Sequence, residues 1–478
     1  MKGGLIIKKN YTRGISTLEI IIALAVLSIT FTALILLSFS NQTLTLDTDL
    51  NNHGLSLASR EFEALRGKSF TDFNGIIATS SVITNTDEGL YSGLYTKTLL
   101  VSDVTPCRKQ VSQILSWQSG KRPQSITLAS FFGSKSILSK LGNDCGGSML
   151  PGSLWDLTKQ ESFSLPAPEI TGMDVKNGII YATASTTPDV SNFFTYDIKN
   201  GSASSLNTGM PQEVDVAGNY AYVANASSTE QFEIIDTNVP ILLASLTIPG
   251  VTNGLGRSVF YYDTKAYLGT QRLLPSAQNE FHIFDVSDPG NPIWQGSLKI
   301  NRNVNHIVVQ GNIAYLATGP GSTAPFTPLK IVDISDPYFP TLLSSGSAPG
   351  EKSGLSLAVL GQKLYLGRER GKSDGSEPEF LIFDIRDPKN IPPAFGYFVD
   401  GDVTEILASG NLVYLGVCVK CGTQKEANEM EIWDVSDPSK AVAIGKVSFS
   451  FRISGLDYEN NRVYASLQNG AVVAISPQ

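Results

Sequence analysis

Between residues 20 and 39 the chain runs for 20 residues with only Ser28, Thr30, Thr32 and Ser38 as polar interruptions. As a helix this stretch would cover about 30 Å, enough to cross a bilayer, which predicts a membrane span at about 18–39. Beyond it Leu44, Leu46, Leu50, Leu55, Leu57, Phe62 and Leu65 continue at helical spacings with no proline before Pro106, so the expected helix extends over 15–67 with Gly67 as its cap. The pattern then changes. Strand-like runs at 111–117 and 125–132 flank Gln118, Ser119, Gly120, Lys121, Arg122 and Pro123, predicting a hairpin with a basic turn in a small β subdomain at 68–147. Residues 148–154 (SMLPGSL), directly after Gly146 and Gly147, read as a linker.

From residue 155 to the end the pattern repeats. Tyr181, Tyr222, Tyr267, Tyr315, Tyr365, Tyr414 and Tyr464 recur at intervals of 41, 45, 48, 50, 49 and 50 residues. Each tyrosine belongs to a strand–turn–strand unit, and the turns at Gly218 with Asn219, Gly311 with Asn312 and Gly410 with Asn411 suit a tight hairpin because both residue types tolerate positive φ. A third strand ending in an aspartate follows, at Asp197, Asp236, Asp285, Asp333, Asp384 and Asp434, and an Asp-Pro pair turns the later repeats into a short fourth strand. Four antiparallel strands per repeat make one propeller blade.

Six repeats carry all four strands and the seventh stops after its third. Residues 161–166, preceded by Trp155, Asp156 and Leu157, read as the absent strand, so that both ends of the repeat region share one blade and no sheet edge stays open. The fold class expected is mainly β, a seven-bladed propeller over 155–478 behind one long N-terminal helix. The blocks 281–289 (FHIFDVSDP), 329–337 (LKIVDISDP) and 430–438 (MEIWDVSDP) resemble the LVIVD repeat of bacterial surface β-propellers, a resemblance that implies a fold and no shared catalytic residues.

Charge singles out the N-terminus. Glu19 is the only charged residue between Arg13 and Asp47, and a carboxylate at the mouth of an apolar span needs a partner. Lys2, Lys8, Lys9 and Arg13 precede the span while Asp47 and Asp49 follow it, which places the N-terminus inside and the bulk outside. A secretory signal has a shorter apolar region, and a plain anchor leaves Glu19 unexplained. Gly14 followed by Ile15 and, at the fifth place, Glu19 resembles the leader of type IV pilins and type II secretion pseudopilins. That resemblance implies removal of leader 1–14 by a prepilin peptidase, N-methylation of Ile15, and pairing of Glu19 with the terminal amine of its own chain or a neighbouring pilin or pseudopilin subunit. Isoleucine stands where phenylalanine is commoner. The hairpin at 111–132 also resembles the small sheet of a minor pilin.

Composition narrows the rest. A net charge of -8 leaves no basic patch for nucleic acid, and 17% charged residues suit a β-rich extracellular chain. Cys107 and Cys145 bracket the hairpin segment as a disulfide candidate. Cys418 and Cys421 form a CxxC with no second pair and no suitably spaced histidine, so a loop disulfide is expected ahead of a zinc or redox site.

In the propeller the repeated aspartates are expected to cap turns. His282 and His306 are isolated from any nucleophile motif and are expected to be structural or surface residues. Asp400 with Asp402, and 374–377, lack the ligand density of a calcium loop. The longer loops at 366–379 and 416–429 bring Arg368, Arg370, Lys372, Asp374, Lys420 and Lys425 to one rim, a mixed-charge surface for a protein or glycan ligand or simply a solvated edge. No cofactor, metal or catalytic residue is expected. The function implied is a minor pilin-like surface protein displaying a binding propeller in a filament. The alternatives are a membrane-anchored propeller hydrolase or lyase and a passive surface module.

Overall fold

The computed structural model describes residues 27–28, 32, 50, 53–66, 68, 76, 78–82, 95–105, 108–119, 122–133, 160–184, 192–249, 255–272, 278–319, 326–372, 376–422, 426–460 and 462–476. Gly14, Ile15, Glu19, Cys107, Cys145, Asp374 and Lys425 lie outside them, as do the linker at 148–154 and Trp155 to Leu157. The chain divides into two compact units, each taken by itself below.

In the first unit one helix is described, over 53–66. Leu27, Ser28, Thr32, Leu50 and Lys68 are also helical. The continuous helix expected over 15–67 is therefore seen only in part, and helical Lys68 puts its end past the cap expected at Gly67. Among the described residues no helix is long and apolar enough to cross a membrane.

Leu57 and Ala58 of the helix pack with Tyr95, Leu115 and Trp117. Gly54 makes room for this, since a Cβ there would stand 3.3 Å from both the Trp117 and the Tyr95 rings. Tyr95 donates to the Leu50 carbonyl at 3.0 Å and Lys97 pairs with Glu61 at 2.7 Å. Leu55, counted among the apolar positions of the sequence, is 48% exposed. The strands form one four-stranded sheet in chain order: Thr79–Val82, Thr96–Thr105, Arg108–Ser119 and Arg122–Gly133. The last two are the expected hairpin, extended at both ends.

The propeller is built from seven four-stranded antiparallel sheets. Their innermost strands are Ile170–Lys176, Pro211–Ala217, Gly256–Tyr262, Val304–Gln310, Gly354–Leu360, Asp402–Ser409 and Ile453–Glu459, in blades one to seven. Each packs against the next and the seventh packs against the first, so the ring is closed. Blade seven takes its outer strand from the front of the repeat region: Gln160–Ser164 pairs antiparallel with Ala471–Ile475, with Phe163 opposite Val472. The closing strand runs 160–164 where the sequence suggested 161–166.

The second strand of every blade is a buried core strand, with tyrosine at its centre and small or aliphatic residues around it. Ala314, Leu316 and Ala317 have no exposed surface and Tyr315 keeps 3%. Gly218, Gly311 and Gly410 turn the inner hairpins at φ of 61° to 62°, the left-handed geometry that favours glycine.

The third-strand aspartates end these strands by accepting from the amide two residues on. Asp285 accepts from Ser287 at 3.0 Å, Asp333 from Ser335 at 2.9 Å and Asp434 from Ser436 at 2.9 Å. The Asp-Pro aspartates repeat the device, Asp288 taking Gly290 N–H at 3.1 Å and Asp437 taking Ser439 N–H at 3.0 Å. All are scaffold Asx-turns.

Candidate functional site

The residues that face the channel are selected by a defect common to all seven blades. The inner hairpin registers skip one residue each, at Thr171, Gln212, Arg257, Asn305, Leu355, Thr404 and Ser454. A bulge re-aims the extra side chain, and all seven line a cavity of about 290 Å³ at one mouth of the channel, joined by Glu405, Arg452 and Gln468. Several of these residues tie blades together: Thr171 donates to Pro211 O at 3.0 Å and Asn305 to Gly354 O at 2.7 Å.

The next residue in each blade gives a second layer: Gly172, Glu213, Ser258, His306, Ser356, Glu405 and Gly455. Gly172 is required for closeness, because a Cβ there would fall 2.9 Å from the Glu213 Cα. Glu213 accepts Val259 N–H from blade three at 3.0 Å, and its other oxygen lies 3.4 Å from His306 Nε2. Burial, reinforced by the Glu405 charge, raises Glu213 well above the usual carboxylate range. Burial lowers His306 to about 4 and raises Glu405 to about 8. The Glu213–His306 contact therefore joins two groups that are both pushed toward their neutral forms. The hydroxyls of Ser258 and Ser356 donate to Val304 O and Val403 O at 3.1 and 3.3 Å and do not bond His306. No nucleophile–base pair results.

Two residues deeper the ring splits in character. Blades seven, one and two present Asp457, Asp174 and Asp215, and blades three to six present Phe260, Val308, Ala358 and Leu407. Each aspartate reaches the following blade: Asp457 accepts Val175 N–H at 2.5 Å, Asp174 accepts Val216 N–H at 2.6 Å and Asp215 accepts Tyr261 N–H at 2.5 Å. Lys176 lies 3.4 Å from Asp174. Burial, then the charges of Asp457 and Asp215, holds Asp174 well above its ordinary value. Among the described residues no cluster of three or more His, Cys, Asp or Glu is arranged to hold a metal ion.

Of the rim residues expected from the sequence, Arg368 is not at the surface. Arg368 has no exposed area and donates to the carbonyls of Pro378 at 2.9 Å and Pro349 at 2.7 Å. It anchors a loop from inside the blade. It closes the strand Lys363–Arg368, so the loop begins at 369 and not at 366. In blade six the strand Leu412–Val419 likewise leaves a loop of 420–426. The Arg370 guanidinium pairs with Asp400, and the Arg370 backbone amide donates to Asp402 at 2.7 Å. Lys372 pairs with Glu377 at 3.0 Å. Lys420 sits at φ 54° in the turn closed by the Cys418–Cys421 disulfide, whose Cα atoms are 5.5 Å apart.

His282 is 1% exposed and meets Asn279 O at 3.0 Å, a structural role. His306 departs from expectation, being a channel residue against Glu213. The sequence did carry the signal: aligned on their bulges, the seven inner strands place Glu213, His306 and Glu405 at one position.

The LVIVD repeat matches residues 208–236, 276–299, 301–346 and 400–448, within blades two, three, four and six. Among curated proteins none matches the chain. Similar solved structures include BamB from Moraxella catarrhalis, 14% identical over 70% of this chain and 95% of that one with a TM-score of 0.42. A virginiamycin B lyase from Staphylococcus aureus, solved with quinupristin, is 10% identical over 67% and 99% with a TM-score of 0.48. A quinonprotein alcohol dehydrogenase-like protein from Bacteroides thetaiotaomicron is 12% identical over 84% and 95% with a TM-score of 0.45.

Proposed function

We propose that this chain is a minor pilin-like subunit that mounts a binding propeller on a filament, and that it is not an enzyme. The observation that carries the reading is the helix over 53–66 laid on a four-stranded antiparallel sheet through Leu57, Ala58, Tyr95 and Trp117, downstream of Gly14, Ile15 and Glu19. In this reading leader 1–14 is removed by a prepilin peptidase, 15–67 enters the membrane and then the filament, and Glu19 is neutralised by a subunit's terminal amine. A buried carboxylate requires such a cation. The propeller then stands outside the cytoplasmic membrane. Its bulk suits a low-copy position such as the tip.

Binding in place of catalysis is supported by the channel, where the carboxylates of Asp174, Asp215, Asp457 and Glu213 are committed to backbone amides of neighbouring blades. Intact-mass analysis of the exported protein tests the mounting. A mature chain beginning at N-methylated Ile15 is expected; retention of Met1, or a start at Asn41, overturns it.

A further inference from the structure

The mouth of the channel holds two cations that are in no ion pair among the described residues. Arg257 is exposed and Arg452 partly buried, and both line the cavity of about 290 Å³ formed by the bulged residues. Neither forms an ion pair among the described residues. The acids whose fields reach them are Glu213 at Arg257 and Glu405 at Arg452; the Glu213 oxygens are engaged with Val259 N–H and His306, and burial raises Glu405 to about 8 despite Arg452.

The same mouth lacks partners of the opposite kind. Asn305 uses its amide N–H on Gly354 O, leaving a buried Oδ1 with no hydrogen bond. Glu405, also in the wall, is held largely protonated at neutral pH by burial. Gln212 and Gln468 add amides. The mouth thus offers strong donors for an anion beside acceptors that need hydroxyl donors. A bare inorganic anion satisfies only the first set. A polyol carrying one carboxylate satisfies both, and guanidinium groups match carboxylate geometry. The volume stands at the lower edge of the range for small-molecule sites, about 300 Å³ and upward, which is monosaccharide scale.

We propose that the channel mouth binds a small acidic sugar, with Arg257 and Arg452 on its carboxylate and Asn305, Gln212, Gln468 and Glu405 on its hydroxyls. The site deepens the reading of the propeller as a binding module and rests on it. A pH dependence follows. Glu405 faces Glu213, Arg257 and His306, with Asp174, Lys176, Asp215 and Asp457 a layer deeper, and Arg452 shares the mouth with it. Once Glu405 ionises above about 8, its charge opposes the bound carboxylate and affinity falls.

Calorimetric titration of the full chain in detergent micelles with D-glucuronate, and with D-glucose, acetate and sulfate as separate probes, decides the matter. Saturable glucuronate binding about tenfold or more tighter than any other probe is expected, with Arg257→Gln and Arg452→Gln each weakening it about tenfold and a further weakening between pH 6.5 and pH 9. Absence of glucuronate binding overturns the proposal. So does equal binding of sulfate or acetate, which marks a general anion site, and so does unchanged affinity in Arg257→Gln. Arg257 is exposed, so an unaltered unfolding midpoint for that variant separates lost binding from lost fold. A chain starting at Ile15 that binds no glucuronate removes this site and leaves the mounting intact. Glucuronate binding by a chain retaining Met1 does the reverse.

Discussion

Blades seven, one and two line the deep channel with Asp457, Asp174 and Asp215, whereas blades three to six fill the same layer with Phe260, Val308, Ala358 and Leu407. The backbone is alike in both arcs, down to the bulge in every inner hairpin. What differs is how neighbours are joined. In the apolar arc, Ile307, Val309 and Ala314 of blade four cluster with Tyr267 and Ile283 of blade three, and the bonds across the seams come from Ser258, Asn305 and Ser356 and not from a carboxylate in this layer. In the polar arc each carboxylate reaches across a seam to a backbone amide. That arc contains the closure, where blade seven is completed by pairing between 160–164 and 471–475. At the seam between blades seven and one, whose strands are distant in sequence, Asp457 adds a directional bond to Val175 N–H.

The largest expected effect breaks the closure itself. Phe163 is 7% exposed and packs with Ile170, Ala182, Phe194 and Val472, so Phe163→Ala should cost about 3–4 kcal/mol. Leu343, on the matching outer strand of blade four, is only partly buried, and Leu343→Ala should cost about 1–2 kcal/mol. Denaturant unfolding of the full chain compares them. Equal losses would mean that the closure is no more sensitive than any other blade.

Next in size is a contrast at one staple. Asp174→Ala leaves the buried Val216 amide without its acceptor and should destabilise by about 2 kcal/mol. Asp174→Asn keeps an oxygen for that amide and removes a charge that burial, Asp457 and Asp215 all disfavour, so it should be neutral or mildly stabilising at pH 7. If both variants lose stability equally, charge and not the hydrogen bond joins the blades there.

Much of this architecture is visible in the sequence for physical reasons. Tyrosine centres each second strand because those strands are buried on both faces, and aspartate ends the third strand of blades one to six because an Asx-turn needs a short acceptor two residues before a free amide. The tyrosine recurs in every repeat and the aspartate in all but the seventh, whose third strand ends at Ile475. The channel was harder to read. Its residues differ from blade to blade, so periodicity averages them away, and His306, 93 positions along the chain from Glu213, becomes its neighbour only once blades two to four stand around the channel. Arg368 was misplaced on the expected rim for a related reason: a charged run in a loop does not reveal that Arg368 turns inward to cap carbonyls.

A third prediction tests the channel's low polarisability. Burial raises Glu405 to about 8 in the folded protein against an ordinary value of 4.5. The folded state then binds more protons between those values, so stability falls as pH rises from about 4.5 to about 8. Glu405→Gln should remove that slope and stabilise the protein at pH 8.5 by about 1–2 kcal/mol once solvent screening in the half-open channel is allowed for. An unchanged pH profile of the unfolding midpoint would show that water reaches Glu405 freely.

The smallest effect bounds the comparison. If the two arcs differ only in their channel layer, the outer turns should be indifferent to which arc they occupy. Asp197 of blade one accepts from Lys199 N–H at 2.8 Å and Asp333 of blade four from Ser335 N–H at 2.9 Å, each at the end of a third strand. Asp197→Ala and Asp333→Ala should therefore cost about the same, roughly 0.5–1 kcal/mol each, the net value of a partly solvated hydrogen bond. A loss at Asp197 several times that at Asp333 would extend the asymmetry from the channel to the perimeter, and the polar arc would then be fragile throughout its blades and not only along its seams.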